Sequence, residues 1–300
     1  MLILILKGFA MGLADIVPGV SGGTVAFITG IYDKLIESIS SVNSTFIKLT
    51  FSFQIRKALE HINYKFLAPL LFGIAVAIIS MSRVMHFLMN NYAVQTWALF
   101  FGLVLASIIY IGKQIDHLIE PKNIISVILG IVVGVSVVSL IPVETPSTPL
   151  YLFFSGSIAI CAMILPGISG SFLLLILGKY AFITGALKSP FVGDNLASIA
   201  IFSIGCLVGI LSFSKLLNYL LKHYRNTMMA CLTGFMIGSL KKIWPWKEVL
   251  ESKVIRGKTY VLDEANIIPN QLNLEVVIAI SLIIIGFILV FAIERLSQKD

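Results

Sequence analysis

Ala14-Asp15-Ile16-Val17-Pro18-Gly19-Val20-Ser21-Gly22-Gly23-Thr24 interrupts an apolar run near the start of the chain, and Ala162-Met163-Ile164-Leu165-Pro166-Gly167-Ile168-Ser169-Gly170-Ser171-Phe172 interrupts another one 148 positions later. At the same offset Gly30 falls on Gly178 and Tyr32 on Tyr180. Proline removes a backbone donor and stops an incoming helix, and glycine admits unusual backbone angles and close approach. In a membrane chain, matched apolar segments broken by Gly and Pro in the two halves mark the substrate site of a transporter.

The composition supports the membrane premise. Hydrophobic residues make up 58% of the chain and charged residues 12%, against about 25% charged in an average soluble domain. Mean hydropathy is +0.98. Six runs approach or exceed the ~20 residues needed to cross a bilayer: 66–89, 93–113, 124–142, 196–221, 225–243 and 275–294. The net charge of +7 is scattered through the loops. That pattern fits basic cytoplasmic loops and argues against a nucleic-acid partner. Cys161, Cys206 and Cys231 lie in apolar segments without CxxC spacing, and His61, His86, His117 and His223 form no paired-ligand pattern. Neither a metal nor a cofactor is expected.

The duplication extends past the broken segments. At an offset of 132, Gly73 falls on Gly205, Ser82 on Ser214, Arg83 on Lys215, Tyr92 on Tyr224, Gly102 on Gly234 and Ser107 on Ser239. The expected fold is an all-α polytopic membrane protein, one transport domain over 1–300. Repeat one spans 1–113, a linking helix 124–142, repeat two 151–243 and a C-terminal helix 275–294. The arms 1–17 and 22–38 are each short for a full crossing, so each broken segment is read as a re-entrant hairpin. Three spans then separate the hairpins, which inverts the second repeat and brings the two tips together near the midplane. Loop charges favour both termini in the cytoplasm. The loop 244–274 is expected on the opposite face. The sequence leaves room for a homo-oligomer.

The candidate substrate-binding residues follow from this layout. Helices resuming at about 22 and 170 would present free N–H groups and positive dipole ends. With Pro18, Gly19, Ser21, Gly22, Gly23 and Thr24 on one tip, and Pro166, Gly167, Ser169, Gly170 and Ser171 on the other, two such ends would form an anion cradle. Asp15 lies one turn before the first tip and matches Met163. A carboxylate in a membrane segment costs about 2.5–3.5 kcal/mol on insertion scales. It is read as a coupling residue for a proton or sodium ion, with a structural cap or ion pair as the alternative. Arg83 and Lys215, at equivalent positions, are candidates for attracting a substrate anion rather than only snorkelling to the interface.

At these residues the chain resembles the PopT family of bacterial polyprenyl-phosphate transporters, formerly a family of unknown function. The resemblance rests on A-D-I-V-P-G-V-S-G-G-T followed by G-I-Y, and on the second L-P-G-I-S-G-S. In plan it is also similar to the DedA family, whose motif strings differ. The resemblance implies movement of undecaprenyl phosphate between leaflets of the bacterial cytoplasmic membrane, so that the lipid carrier of peptidoglycan synthesis is reused. It places function on Asp15 and on the tip residues named above. Phe172 stands where Thr24 would be matched, and Ser171 where Gly23 would be, so the second tip is expected to be the less polar. An ion-coupled carrier of a small soluble anion is the alternative. An intramembrane lipid phosphatase would need an acid/base pair near the tips, and none of the four histidines lies near a tip motif.

Overall fold

The computed structural model describes residues 1–17, 20–255 and 258–297. Pro18 and Gly19, expected in the first tip, lie outside the described residues. The first broken segment comprises α1 (Leu2–Ile16), α2 (Gly22–Ile28) and α3 (Tyr32–Ser40). Short α4 (Ser44–Phe51) and α5 (Ile55–His61) lead to α6 (Tyr64–Asn91), α7 (Ala93–Gly112) and α8 (Pro121–Val138). The second broken segment comprises α9 (Pro149–Ile164), α10 (Gly170–Ile176) and α11 (Tyr180–Lys188). Then come α12 (Asn195–His223), α13 (Arg225–Ile243), the strands β1 (Lys247–Ile255) and β2 (Lys258–Asn266), and α14 (Leu274–Ser297). The molecule is an all-α polytopic membrane protein carrying one antiparallel hairpin, β1 with β2.

Local sequence explains the main boundaries. Pro121 and Pro149 open α8 and α9 at the position where a missing N–H costs nothing. Gly30 and Gly178 both adopt left-handed φ, +68° and +66°, which side chains other than glycine resist. They turn α2 into α3 and α10 into α11, the second pair bending by 110°.

Both broken segments double back. The Lys7 ammonium donates to the Thr29 carbonyl at 2.7 Å, so the end of α2 returns alongside α1. In the second half the extended chain before α9 holds the end of α10: Val143 N–H donates to Ile176 O at 2.8 Å, and the Thr145 hydroxyl to Leu177 O at 2.6 Å. Lys179, buried, donates to Thr145 O from the same end. The two returning helices thus each have a lysine at their carbonyl end, where a cation is favoured.

Among the described residues, five helices are long and apolar enough to cross a membrane: α6, α7, α8, α12 and α14. The sixth expected span, α13, is less apolar, and ten of its nineteen residues are buried. It nevertheless runs beside α8 for its whole length. Thr227 near its start bonds Asn123 at the start of α8, and Lys241 near its end bonds Ser139 just past the end of α8. Protein rather than lipid forms its walls, which is why its sequence tolerates polar residues.

α13 also orients the two broken segments. Arg225 at its start pairs with Asp33 of α3 at 2.6 Å, and Lys222 just before it pairs with Glu37 at 2.7 Å. Ser139, against its far end, begins the extended chain that leads to α9. The end of the first broken segment therefore lies at one end of α13, and the chain leading into the second lies at the other.

Helices pair through glycine seams. A Cβ on Gly8 would strike the Leu70 carbonyl, one on Gly73 the Ile5 carbonyl, and this locks α1 against α6. Gly156 and Gly205 do the same for α9 and α12. Gly102 with Gly286 closes α7 on α14, and Gly130 with Gly234 closes α8 on α13. Small residues let backbones approach where no hydrophobic drive separates helix from lipid. The helices placed between and after the repeats by sequence, α8 and α14, are thus each seamed to a span of the opposite half.

Candidate functional site

The two turns meet. The Ser21 hydroxyl donates to Met163 O at 2.9 Å, and Gly167 N–H donates to Thr24 Oγ1 at 2.9 Å. A Cβ on Gly23 would lie 2.5 Å from Ile164 O, so the first tip presses against the backbone of the second. Ser21, Gly22, Gly23, Thr24, Pro166, Gly167, Ser169 and Gly170 are all buried at this contact, and Ser171 is half-buried. Gly167 has φ +94°, and a Cβ there would sit 2.5 Å from Ser239 Oγ of α13.

The amides of the first tip are occupied. Asp15 Oδ1 accepts from Gly22 N–H at 2.7 Å, Ser21 Oγ from Gly23 N–H at 3.0 Å, and Ser21 O from Thr24 N–H at 3.0 Å. The expected free amides are therefore taken by this chain's own oxygens. A carboxylate one turn away is drawn to the positive end of α2 and satisfies an orphan donor there. Asp15 is half-buried and acts in this state as a cap. The second tip differs. Met163 stands in place of the carboxylate, and the Ser169 side chain, at the N-cap of α10, accepts from none of that helix's described opening amides. Ser169 and Ser171 instead share a hydroxyl–hydroxyl bond of 2.6 Å.

Arg83 and Lys215 do not join the tips. Both are exposed on α6 and α12, beside the equally exposed Phe87 and Leu216, and neither bonds a tip residue among the described residues. Each lies eight residues before the end of its helix, roughly 12 Å at 1.5 Å per residue.

Beside the second tip an apolar groove of about 530 Å³ lies between α8, α9, α12 and α13. Val133, Phe154, Ile158, Val208 and Phe213 line it, together with Leu165 and Ile168 of the tip. At the hairpin face lies a smaller polar cavity of about 100 Å³, bordered by Ser139, Phe172, Lys241, Lys242, Glu264 and Asn266. Glu264 Oε1 accepts from Lys242 at 2.7 Å and from Lys247 at 2.6 Å. Burial pulls the Glu264 carboxyl upward, but the Lys247 and Lys242 ammoniums outweigh it and hold the group below the usual carboxylate range. Burial pushes the Lys247 ammonium down, against the pull of Glu264.

With this geometry in hand, the chain can be compared with known proteins. Residues 11–260 match the VCA0040-like family, described as undecaprenyl phosphate translocase-like. A polyprenyl-phosphate transporter of Vibrio cholerae is 40% identical over 301 residues, covering 98% of this chain and 96% of that protein. A polyprenyl-phosphate transporter of Staphylococcus aureus is 35% identical over 256 residues, covering 80% and 85%. The chain belongs to the undecaprenyl phosphate translocase-like family. No solved structure matches it.

The duplication aligns Ser107 with Ser239, and Ser239 lies against Gly167 of the second tip, a contact that sequence spacing does not reveal. The strands β1 and β2 fall in what was expected to be a loop. Their signal was present in the sequence: Val249, Val254 and Ile255 precede Gly257, and Thr259, Tyr260 and Val261 follow it. The Lys242–Glu264–Lys247 cluster depends on that hairpin, so it could not be assembled without it.

Proposed function

We propose that the protein is a transporter, and not an enzyme, that moves undecaprenyl phosphate across the bacterial cytoplasmic membrane, returning the carrier lipid for peptidoglycan and other envelope polymers. The relatives named above are transporters of polyprenyl phosphate, which supports the substrate class. The observation that carries the reading is the groove. It is lined by apolar side chains and reaches the second tip. A hydrocarbon tail can lie in such a groove while its head reaches the tips. A soluble anion gains nothing from it.

The problem is to pass about 1.5–2 negative charges of a phosphate monoester through low dielectric. Arg83 and Lys215, one toward each face, guide the head in each leaflet. Ser169, Ser171 and the backbone of Gly167 and Gly170 receive it at the open tip. At the first tip Asp15 holds the seat in the empty state. Phosphate arriving at Gly22 N–H meets that carboxylate, and two anions on one amide repel strongly at low dielectric. Neutralising Asp15 with a proton or sodium ion relieves the repulsion and couples the ion to transport. The two halves are read as inverted repeats, with α8 and α14 exchanged between them. The seamed helix pairs move as rigid bodies, and the tip contact is where one half rocks against the other.

The test uses vesicles containing only the purified protein and a fluorescent polyprenyl phosphate placed in the outer leaflet. The protein is expected to speed equilibration between leaflets of the phosphate lipid but not of the corresponding alcohol. Equal rates with and without protein would overturn the reading.

A further inference from the structure

The polar cavity at the hairpin face is not explained by the tips. Three lysines gather there, and two of them, Lys242 and Lys247, pair with the described carboxylate of Glu264. Lys241 donates to Ser139 Oγ at 2.7 Å and Lys242 to Glu264 Oε1 at 2.7 Å; both border the cavity. Lys247, behind them, donates to the same Glu264 oxygen and to Lys242 O, at 2.6 Å each. Among the described residues, Lys241, Lys242 and Lys247 against Glu264 leave an excess of two positive charges at the cavity wall and just behind it. Its volume, about 100 Å³, equals some three waters at about 30 Å³ each, enough for a phosphoryl group. Lys242 also sits 4.8 Å over the ring of Phe172. Phe172 directly follows Ser171, so one side chain borders both the cavity and the second tip.

We propose that this cavity is a docking site for a phosphate monoester head, where Lys241 and Lys242 hold the phosphoryl oxygens on the hairpin face before the head passes Phe172 to the second tip. This rests on the lipid-phosphate reading and adds a station to it. The arrangement suits a transient seat. Lys242 can leave Glu264 for phosphate without stranding the carboxylate, because Lys247 remains on the same oxygen. Two flexible ammoniums bind phosphate as point charges and release it more readily than a bidentate arginine fork. The ring of Phe172 gives Lys242 a second resting place during the exchange. Ser139, already bonded to Lys241, offers a hydroxyl to the same oxygens.

The experiment measures binding of farnesyl phosphate and farnesol to the full-length protein in detergent, with inorganic phosphate as a third probe. Wild type is expected to prefer farnesyl phosphate. The double variant Lys241→Gln/Lys242→Gln is expected to lose about tenfold or more in affinity for farnesyl phosphate, the worth of charge-assisted hydrogen bonds. Its affinity for farnesol should not change. Ser139→Asp places a carboxylate beside Lys241 without removing a buried group, and should cause the same selective loss. Unchanged binding of farnesyl phosphate in both variants would overturn the docking site. If wild type itself binds the two lipids equally, the lipid-phosphate reading fails with it. If inorganic phosphate competes as well as the lipid does and the variants weaken both alike, the site stands as a phosphate seat and the tail contributes nothing at this station.

Discussion

The two tips share a backbone plan and differ in what fills it. In the first, Asp15 and Ser21 satisfy the opening amides of α2, and Ser21 and Thr24 reach across to the partner turn. In the second, Met163 replaces the carboxylate, and Ser169 and Ser171 bond only each other among the described hydroxyl contacts. One tip is closed by its own anion, and the other keeps its hydroxyls at hand. A symmetric cradle would hold an anion equally in both orientations and give no reason to release it. On the function proposed above, a tip capped by a carboxylate beside one without it makes the seat depend on the state of that carboxylate.

The sharpest way to break this comparison is to exchange the one position where glycine and serine differ. Gly23→Ser forces a Cβ against Ile164 O. Backbone cannot yield there as a side chain would, and overpacking of this kind costs about 1–3 kcal/mol, up to about a hundredfold in rate. Transport should fall by that order while the protein remains membrane-inserted and monodisperse. The reverse change, Ser171→Gly, removes one hydroxyl bond and should slow transport by no more than about fivefold. Equal effects in the vesicle assay would mean the two tips are not distinct in packing.

The next effect tests charge alone. Asp15→Asn keeps an oxygen that can accept from Gly22 N–H and removes the negative charge. Folding should survive, transport should drop by about tenfold or more, and any response to a pH or sodium gradient should vanish. Wild-type transport with an intact ion response would remove Asp15 from coupling. Met163→Asp is the mirror experiment. A second carboxylate should fill the open tip as Asp15 fills the first and slow transport, whereas faster transport would show that the asymmetry is not needed.

Much of this asymmetry was legible in the sequence, because Asp15 against Met163 and Thr24 against Phe172 are visible once the halves are aligned. The span positions were legible too, since lipid imposes length and apolarity on each helix. What stayed hidden depends on contacts between distant segments. A structural cap was one reading of Asp15, but that its partner is Gly22 N–H requires the turn's geometry, and Pro18 and Gly19 lie outside the described residues. Arg83 and Lys215 align well, but alignment gives equivalence rather than convergence, and both lie exposed on their helices with no bond to a tip residue among the described residues. The exchange of α8 and α14 between halves left no mark beyond single glycines. The lysine cluster needed the β-hairpin, whose alternating pattern was outweighed by its charged residues.

The smallest expected difference concerns the two capping serines, and it separates structural from substrate roles. Ser21 is fully buried and does two jobs, accepting from Gly23 N–H and donating to Met163 O. Ser21→Ala leaves both groups without that partner, and an unsatisfied buried group costs about 1–3 kcal/mol. Thermal unfolding in detergent should shift down measurably. Ser169→Ala removes only the bond to Ser171, whose hydroxyl is half-buried and can rotate to another acceptor, so about 1 kcal/mol or less is lost. If Ser169 receives the phosphoryl head, this variant should show the opposite profile from Ser21→Ala: nearly unchanged stability with weaker binding of farnesyl phosphate. A stable Ser169→Ala protein that binds the lipid as wild type does would leave the second tip as a packing contact and move the head elsewhere.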